Sequence, residues 1–282
     1  MRTELDSVSL TNALRTRRLG RSVEVHPVVD STMDLAREAG HRGAPDGHLV
    51  WADAQRAGRG TRGRRWSSPP NVDLYLSLLL RPKLALTSLP PITLAAGLAV
   101  REVIADLMKD AEVKIKWPND VWVDRRKTAG LLVESSGQDA IPDAVIVGIG
   151  VNVNRRTLPP EIQGSATSIW LAKGGGEAID RVQLLADLLA RLEHWIDQLL
   201  MDGSAPIVAE LRAHLALVGE LAQLDGREGA VRGVDPEGAL LFETKTGIIA
   251  AQSGRLFPLP RGGEPEQAIA KEGSSAQEGD HG

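Results

Sequence analysis

The amino-acid sequence predicts an α+β protein, with a mixed domain of strands and helices over residues 1–218 and a small β domain over 219–261. Two observations carry this prediction. As far as Val218, strand-like segments alternate with apolar stretches long enough for amphipathic helices. From Gly219 onward, short strand-like runs are separated by turn residues such as Asp225 and Gly226, which is typical of a small antiparallel sheet or barrel.

The elements are predicted in chain order from apolar spacing, turn residues and caps. The string at 31–34 has the form of a capping box, so a helix should begin there and end near Gly40 or Gly43. Pro90 and Pro91 suit the first turn of a long apolar helix. The other predicted helices are 5–19, 92–108, 179–200 and 207–217. The predicted strands are 22–29, 47–52, 72–80 (apolar enough to be buried), 112–116, 121–123, 129–134, 144–151, 221–224, 230–234, 239–243, 247–251 and 255–258.

Composition narrows the class of protein. Of the 282 residues, 42% are hydrophobic, which is enough for a sizeable core. The absence of cysteine excludes disulfides and thiolate chemistry, and the six histidines lack the spacing of metal ligands, so no structural metal is predicted. There is no signal-like start, and the longest charge-free stretch, 84–100, contains two prolines, which predicts a cytoplasmic protein without membrane contact. The acidic segment 262–282 is predicted to be disordered.

The most distinctive segment is residues 56–66, here called the arginine loop, which contains five arginines and three glycines. Glycine lets the backbone approach a ligand closely, and the planar guanidinium donors of arginine suit carboxylates and phosphates. The loop is therefore predicted to bind anions. A nucleic acid is one candidate, but the net charge of -4 and the 3% of aromatic residues argue against a nucleic-acid-binding protein.

Two further strings combine polar side chains with strand-like neighbours. They are Lys-Trp-Pro-Asn-Asp at 116–120 and Gly-Ile-Gly-Val-Asn at 148–152. Together with the strings at 30–32, 55–60 and 127–130, they resemble, in order and spacing, the motifs of biotin protein ligases. Each string alone has low specificity, but the five in this order are similar to one family over residues 23–261.

This resemblance implies a catalytic domain like that of class II aminoacyl-tRNA synthetases, followed by a small SH3-like barrel. It implies an enzyme that uses ATP and Mg2+ to convert biotin into biotinyl-5'-AMP. Biotin is then transferred to one lysine of the biotin carboxyl carrier domain of a carboxylase. Monomer and homodimer both stay open. The nearest alternative is a lipoate or octanoyl ligase or transferase with the same fold, although the arginine loop and the string at 116–120 favour biotin.

The first step of such a reaction needs cations, because a carboxylate and an ATP phosphate repel each other. The resemblance assigns this catalytic role to Lys127, Arg62 and Arg64. It assigns biotin binding to Ser31, Thr32, Gln55, Gly58, Arg59, Gly60, Thr61, Lys127 and Gly130. It assigns binding of ATP or the adenylate to Arg62, Arg64, Trp66, Asn119, Asp120 and Asn152.

Several of these residues also have a purely structural interpretation, which the sequence leaves open. Ser31 could cap a helix, and Gln55 could be a surface amide. Lys127 could be a solvated lysine in a turn, and Asn119 with Asp120 could form a turn. Asn152, at the end of a strand, is similarly ambiguous. Gly148 and Gly150 could let a ligand approach closely or simply allow tight packing.

Two positions depart from the family pattern. Met33 replaces a small polar residue, so no polar contact is expected from it. Thr61 replaces an arginine found in well-known bacterial members, and with one cation fewer the closed loop is expected to hold the reactive adenylate less tightly. About thirty residues precede Ser31, which is room for a helix and a strand but not for a winged helix-turn-helix, so we expect a ligase that does not bind operator DNA.

Overall fold

A seven-stranded mixed sheet forms the centre of the larger part of the protein, in a computed structural model that describes residues 6–82, 89–136 and 142–259. Its strands are β1 Val23–Val29, β2 His48–Gln55, β3 Leu74–Leu80, β4 Val113–Lys116, β5 Asp120–Val123, β6 Arg126–Ser136 and β7 Ala144–Val151. The strand order is β1-β2-β3-β7-β6-β5-β4. Strands β1 and β2 are parallel, and the other neighbouring pairs are antiparallel. The predicted α+β class is confirmed.

Helices cover both faces of this sheet. They are α1 Ser7–Ala13, α2 Thr32–His41, α3 Leu89–Leu107, α4 Ile169–Ala172, α5 Arg181–Asp202 and α6 Ala205–His214. Along β2, Val50 packs in a small apolar cluster with α2, whereas Leu49 and Trp51 belong to the large core that contains α3 and α5. Because successive side chains of a strand point to opposite faces, α2 lies on one face and α3 with α5 on the other. All residues of β3 are buried, as its apolar sequence predicts.

The first helix is shorter than predicted. Helix α1 ends at Ala13, whereas the apolar spacing indicated a helix over 5–19. Beyond it, the Glu193 carboxylate on α5 accepts hydrogen bonds from the backbone N–H groups of Arg17, Arg18 and Leu19, at 2.7, 2.9 and 3.0 Å. These N–H groups therefore bond to a side chain instead of continuing the helix.

A second sheet of five antiparallel strands follows α6, which confirms the predicted small β unit. The strands are β8 Leu221–Leu224, β9 Arg227–Val234, β10 Leu240–Thr244, β11 Gly247–Ala251 and β12 Leu256–Pro258, in the order β11-β10-β9-β8-β12. This C-terminal sheet packs against the larger part of the protein, since Trp117 Nε1 donates a hydrogen bond to Gly238 O at 3.1 Å. A Cβ at Gly238, where φ is +88°, would lie 2.5 Å from Leu94 on α3. Side chains of both sheets share one hydrophobic core.

The predicted disordered tail, 262–282, lies outside the described residues. The domain limits 1–218 and 219–261 stay predictions. Within the described ranges, no helix has both the length and the apolar character needed to cross a bilayer.

Candidate functional site

The site lies on the same face of the large sheet as α2. It begins where α2 no longer covers the sheet and the arginine loop lies over it instead. Along β7, the residues that face this side are Ala144 and Ile146 beneath α2, followed by Gly148 and Gly150. A cleft of about 3260 Å³ opens there. Its walls are the arginine loop, the start of α2, the β5–β6 hairpin, the segment 159–166 and the segment 255–259 around β12.

A neutral hydrogen-bonding pocket forms the inner end of the cleft. The backbone N and the hydroxyl of Thr32 both donate to Gln55 Oε1, at 3.0 and 3.2 Å. The Thr32 hydroxyl also lies 2.8 Å from Ser77 Oγ, and Gln55 Nε2 donates to Ser68 Oγ at 3.0 Å. The hydroxyl of Ser31 is buried and has no hydrogen-bond partner. A buried hydroxyl without a partner is uncommon, so this pocket suits a neutral ligand that donates or accepts hydrogen bonds.

Of two structural interpretations left open by the sequence, the cap at Ser31 is confirmed in position only, and the surface amide at Gln55 is wrong. Ser31 does stand at the N-cap position of α2, but its side chain makes no capping hydrogen bond. Gln55 is half-buried and bonded on both sides of its amide, so it is not a surface amide. Both residues lie in the neutral pocket, as the resemblance implies.

Glycines make room for Trp66, whose indole lies on the sheet. A Cβ at Gly150 would come within 2.5 Å of the Trp66 ring, and a Cβ at Gly130 within 2.9 Å. A Cβ at Gly148 would lie 2.8 Å from the sulfur of Met33. Met33 is thus an apolar wall of the site and makes no polar contact, as expected. Gly58 is also required, since its Cβ would lie 2.7 Å from Trp66 O.

Asp120 brings two lysines together at the centre of the cleft. Its Oδ1 lies 2.6 Å from Lys127 Nζ, and its Oδ2 lies 3.4 Å from Lys116 Nζ. Burial alone would raise the pKa of Asp120, but the charges of Lys127 and Lys116 outweigh it and lower that pKa. Lys127 Nζ also lies 5.3 Å from the centre of the Trp66 ring. Lys127 is therefore an anchored cation, and its interpretation as a solvated turn lysine is wrong.

Lys116 is enclosed by aromatic rings as well as paired. Its Nζ lies 5.8 Å from the centre of the Trp122 ring and 5.6 Å from that of Phe257, which belongs to β12 of the C-terminal sheet. Burial lowers the pKa of Lys116, and the Asp120 carboxylate opposes this effect. The C-terminal sheet therefore contributes to the surroundings of a site cation.

The arginines of the loop have separate acidic partners. Arg59 pairs with Asp34 at 2.9 Å and with Glu134 at 3.4 Å, and Arg37 contacts the same two carboxylates. Arg62, whose backbone φ is +58°, pairs with Asp225 of the C-terminal sheet at 3.1 Å. The N–H of Arg255 and the guanidinium of Arg62 lower the pKa of Asp225.

Arg64 bonds within the loop itself. Its Nη2 donates to Thr61 Oγ1 at 3.2 Å. Its positive charge also favours the ionised form of Asp120. Both catalytic arginines implied by the resemblance, Arg62 and Arg64, line the cleft, together with Arg59, Gly60 and Thr61.

The two asparagines assigned to the nucleotide hold the backbone of the cleft. Asn119 Nδ2 donates to Leu131 O at 2.7 Å, and Asn152 Nδ2 donates to Thr167 O at 3.0 Å. Asp120 is the first residue of β5, so the turn predicted for Asn119 and Asp120 ends before it. Both asparagines line the cleft, and the side-chain oxygen of each amide can accept a hydrogen bond.

A buried polar network fastens the end of the arginine loop, and the sequence interpretation missed it. Asp73 is fully buried, and its carboxylate accepts hydrogen bonds from Arg155 Nε, from the Tyr75 hydroxyl at 2.8 Å and from Val153 N at 2.8 Å. Arg155 also donates to the backbone oxygen of Ser67. The signal that was available is an aspartate at the start of an otherwise apolar strand, which requires a buried partner.

The cleft as a whole carries more positive than negative charge. Eleven lysine and arginine side chains line it against three acidic ones, Asp120, Asp124 and Glu161. The cations include Lys116, Lys127, Arg62, Arg64 and Arg255. A neutral pocket that continues into such a cationic cleft can hold a molecule with an uncharged polar head and a carboxylate beside a polyphosphate. In the part of the chain that the structure describes, no group of three histidine or acidic side chains is placed to hold a metal ion.

Comparison with known proteins agrees with this chemistry. The profile of the "Biotin/lipoate A/B protein ligase family" matches residues 25–152. "Bifunctional ligase/repressor BirA" of Bacillus subtilis (strain 168) is 35% identical over 251 residues, which are 87% of this chain and 76% of the relative. A biotin-(acetyl-CoA-carboxylase) ligase of Mycobacterium tuberculosis (strain ATCC 25618 / H37Rv) is 31% identical over 269 residues, 92% of this chain and 97% of the relative.

Among solved structures, a biotin protein ligase from Aquifex aeolicus in complex with biotin and ATP superposes with a TM-score of 0.73. The two chains are 31% identical, and the match covers 84% of this chain and 97% of the other.

Proposed function

Because this chain belongs to the biotin/lipoate A/B protein ligase family and is a biotin ligase, we propose that it joins biotin to a carrier protein in two steps through biotinyl-5'-AMP. The observation that carries the proposal is the continuity of the cleft. The neutral pocket around Ser31 suits the ureido ring of biotin, and the Lys127–Asp120–Lys116 cluster lies further along the same cleft.

In the first step, a carboxylate oxygen of biotin attacks the α-phosphorus of ATP. A bond forms between that oxygen and the phosphorus, the bond from the α-phosphorus to the bridging oxygen breaks, and pyrophosphate leaves with the electron pair. Lys127 is anchored between Asp120 and the Trp66 ring, so its ammonium group is positioned in advance for the two anions. Arg62 and Arg64 supply further positive charge once the loop closes over the nucleotide.

Mg2+ enters this proposal as part of the MgATP substrate. The carbonyl oxygens of Asn119 and Asn152 and the ring of Trp66 are the groups we assign to the adenosine end. In the second step, the amine of a lysine on a biotin carboxyl carrier domain attacks the biotinyl carbonyl. The amide bond forms, AMP leaves, and the amine loses its proton to water or buffer.

The first experiment follows pyrophosphate release with ATP, Mg2+ and each of biotin, lipoate and octanoate. The wild type is compared with Lys127→Gln and with the matched control Lys173→Gln, which alters an exposed lysine outside the cleft. We expect release with biotin, its loss in Lys127→Gln and no change in Lys173→Gln. Release with lipoate or octanoate alone would move the substrate to the nearest alternative, and silence with all three acids would contradict the proposal.

The second experiment concerns the acceptor. A purified carrier domain is incubated with the enzyme, biotin and MgATP, and its mass is measured. We expect one added biotinyl group, absent when the acceptor lysine is replaced by arginine. Modification of several lysines at equal rates would contradict a specific carrier domain as partner.

We also propose that this chain does not act as a DNA-binding repressor, although four of the relatives that it matches are named as bifunctional ligase and repressor. Among the described residues, those before β1 form a single helix, α1. A gel shift with biotin and ATP present tests this proposal. Sequence-specific retention of a DNA duplex would overturn it.

A further inference from the structure

Two buried ion pairs stand next to each other beside strands β2 and β3. Asp73, directly before β3, pairs with Arg155, and Asp53 of β2 pairs with Arg181 at 2.7 Å. Arg181 Nη1 also donates to Asp73 O at 3.1 Å, which joins the two pairs. Breaking an ion pair that is shielded from water is costly, so these residues hold fixed positions.

The guanidinium of Arg155 is fully engaged with protein atoms, although this residue lines the cleft. Its Nε donates to Asp73, its Nη1 to Ser67 Oγ at 3.2 Å, and its Nη2 to Ser67 O. Nη2 also lies 3.4 Å from the hydroxyl oxygen of Tyr75. Only 4% of the side chain is exposed. Arg155 is therefore placed to hold other residues and not to bind a substrate.

The side chain of Arg155 fixes one end of the arginine loop. Ser67 directly follows Trp66, the last residue of that loop. The other end is fixed separately, since Arg56 N donates to Val29 O at 2.9 Å. The positions of the guanidinium groups between these two ends depend on both anchors. Without the bonds to Ser67, the end of the loop that carries Trp66 can move relative to the sheet.

The main chain of Arg155 is connected to the backbone of Lys127. Arg155 O accepts a hydrogen bond from Ser168 Oγ at 2.6 Å. Immediately before Ser168, Thr167 N donates to Lys127 O, and Lys127 N donates to Ser165 O, both at 2.8 Å. The segment that ends on Arg155 thus pairs with Lys127 on β6. One residue joins the arginine loop to the central cation of the cleft.

This connection matters because the cations that meet the reacting anions come from separate parts of the chain. Lys127 belongs to β6, whereas Arg62 and Arg64 belong to the arginine loop. All three are assigned to one carboxylate and one phosphate group, so their relative positions must be set in advance. A misplacement of about 1 Å can cost about a hundredfold in rate.

We propose that Arg155 is a positioning residue, which sets the arginine loop against Lys127 and thereby determines the rate of adenylate formation. This inference rests on the proposed function, since it takes the joining of biotin to ATP as the reaction in the cleft. The alternative is that Arg155 and Asp73 only stabilise the fold. The two roles predict different results for two buried arginines of the same network.

The test compares two changes at Arg155 with a matched control. Arg155→Lys keeps a charge beside the buried Asp73, but one ammonium group cannot reach both Asp73 and Ser67 as the guanidinium fork does. A second variant combines Asp73→Asn with Arg155→Gln, which leaves no buried charge unpaired. The control is Arg181→Lys, which alters the neighbouring buried pair at a residue that does not line the cleft.

Two readouts distinguish positioning of the loop from support of the fold. Amide hydrogen exchange over residues 56–68 in the ligand-free protein reports the anchoring of the loop without any dependence on catalysis. Single-turnover pyrophosphate release at saturating biotin and ATP reports adenylate formation. We expect faster exchange over 56–68 in both Arg155 variants, and release slowed about tenfold or more. Arg181→Lys should lower the melting temperature but keep wild-type exchange over 56–68 and the wild-type rate.

Wild-type exchange and rate in Arg155→Lys would overturn the inference. Equal losses of rate in Arg155→Lys and Arg181→Lys would overturn it as well, because a purely structural role affects both buried pairs alike. A wild type that releases no pyrophosphate with biotin would contradict the proposed function. In that case, the exchange over residues 56–68 would still decide whether Arg155 anchors the arginine loop.

Discussion

The Nζ atom of Lys127 lies 2.6 Å from Oδ1 of Asp120, and the other oxygen of the same carboxylate faces Lys116 at 3.4 Å. One buried carboxylate therefore keeps two ammonium groups side by side in the cleft. Without it, the two charges would repel each other, and each would move towards solvent. Asp120 thus prepares the site for an anion that contacts both lysines.

Replacing Asp120 with Asn removes this shared counter-charge. We expect kcat/KM for biotin-dependent pyrophosphate release to fall at least about tenfold, because charge-assisted hydrogen bonds that position Lys127 are lost. The control is Asp110→Asn, which removes the same charge from an exposed position outside the cleft. Thermal melts would establish that both variants fold. A normal rate in Asp120→Asn would mean that Lys127 needs no positioning by this carboxylate.

A methyl group at position 150 should displace Trp66. In Gly150→Ala the new Cβ would lie 2.5 Å from the indole, so the ring must leave the sheet. We expect a higher KM for biotin and a shifted tryptophan emission. The control is Gly97→Ala in α3, where the nearest atom to the new Cβ is 3.8 Å away. Unchanged KM and emission in Gly150→Ala would show that the function of Trp66 does not depend on contact between its indole and the sheet at Gly150.

A substitution at Thr61 tests how tightly the arginine loop retains the adenylate. Thr61 now accepts a hydrogen bond from Arg64 at 3.2 Å and contributes no charge. Thr61→Arg adds a cation to the loop, and we expect slower release of biotinyl-5'-AMP from the enzyme because the closed loop then holds the phosphate more tightly. Release is followed by trapping the free adenylate with hydroxylamine. Equal release rates in the wild type and in Thr61→Arg would contradict this prediction.

The hydrogen bonds of the Glu193 carboxylate predict that the stability of the protein depends on pH. Burial opposes ionisation of this carboxylate, but hydrogen bonds from three backbone N–H groups outweigh it, so the pKa of Glu193 is lowered from its ordinary value of 4.5. A lowered folded-state pKa stabilises the protein above pH 4.5, and this stability is lost as the pH falls through the folded value below it. In Glu193→Gln we expect the free energy of unfolding at pH 7 to fall by about 1–3 kcal/mol.

The measurement for Glu193 is denaturant unfolding of wild type and Glu193→Gln across the acid range. The difference between the two should shrink as the pH falls, because protonation also removes the carboxylate from the wild type. The exposed Glu177→Gln serves as control. A difference independent of pH would mean that packing, not charge, explains the effect.

The sequence predicted the main strands, the long helices and the arginine loop, because these follow from local spacing and composition. The five motifs predicted that Ser31, Gln55 and Lys127 belong to one site, and all three line the same cleft. The partners of the arginines could not be predicted in this way. Arg62 meets Asp225 from 163 positions along the chain, and no local pattern specifies such a pair. The contact between Gly150 and Trp66 could not be predicted either, because it depends on how the arginine loop folds over the sheet.

The continuous core between the two sheets has a consequence for how the C-terminal unit should be studied. Trp117 is almost fully buried and bonds to the β9–β10 turn, while Leu94 of α3 abuts Gly238 in that turn. A chain cut after Val218 would therefore expose apolar surface that belongs to the larger part of the protein. If such a fragment were inactive, the cause could be misfolding of the larger part or the loss of a contact in the cleft. Single substitutions on the cleft side of β12 leave that surface covered, so they can separate support of the fold from participation in the reaction.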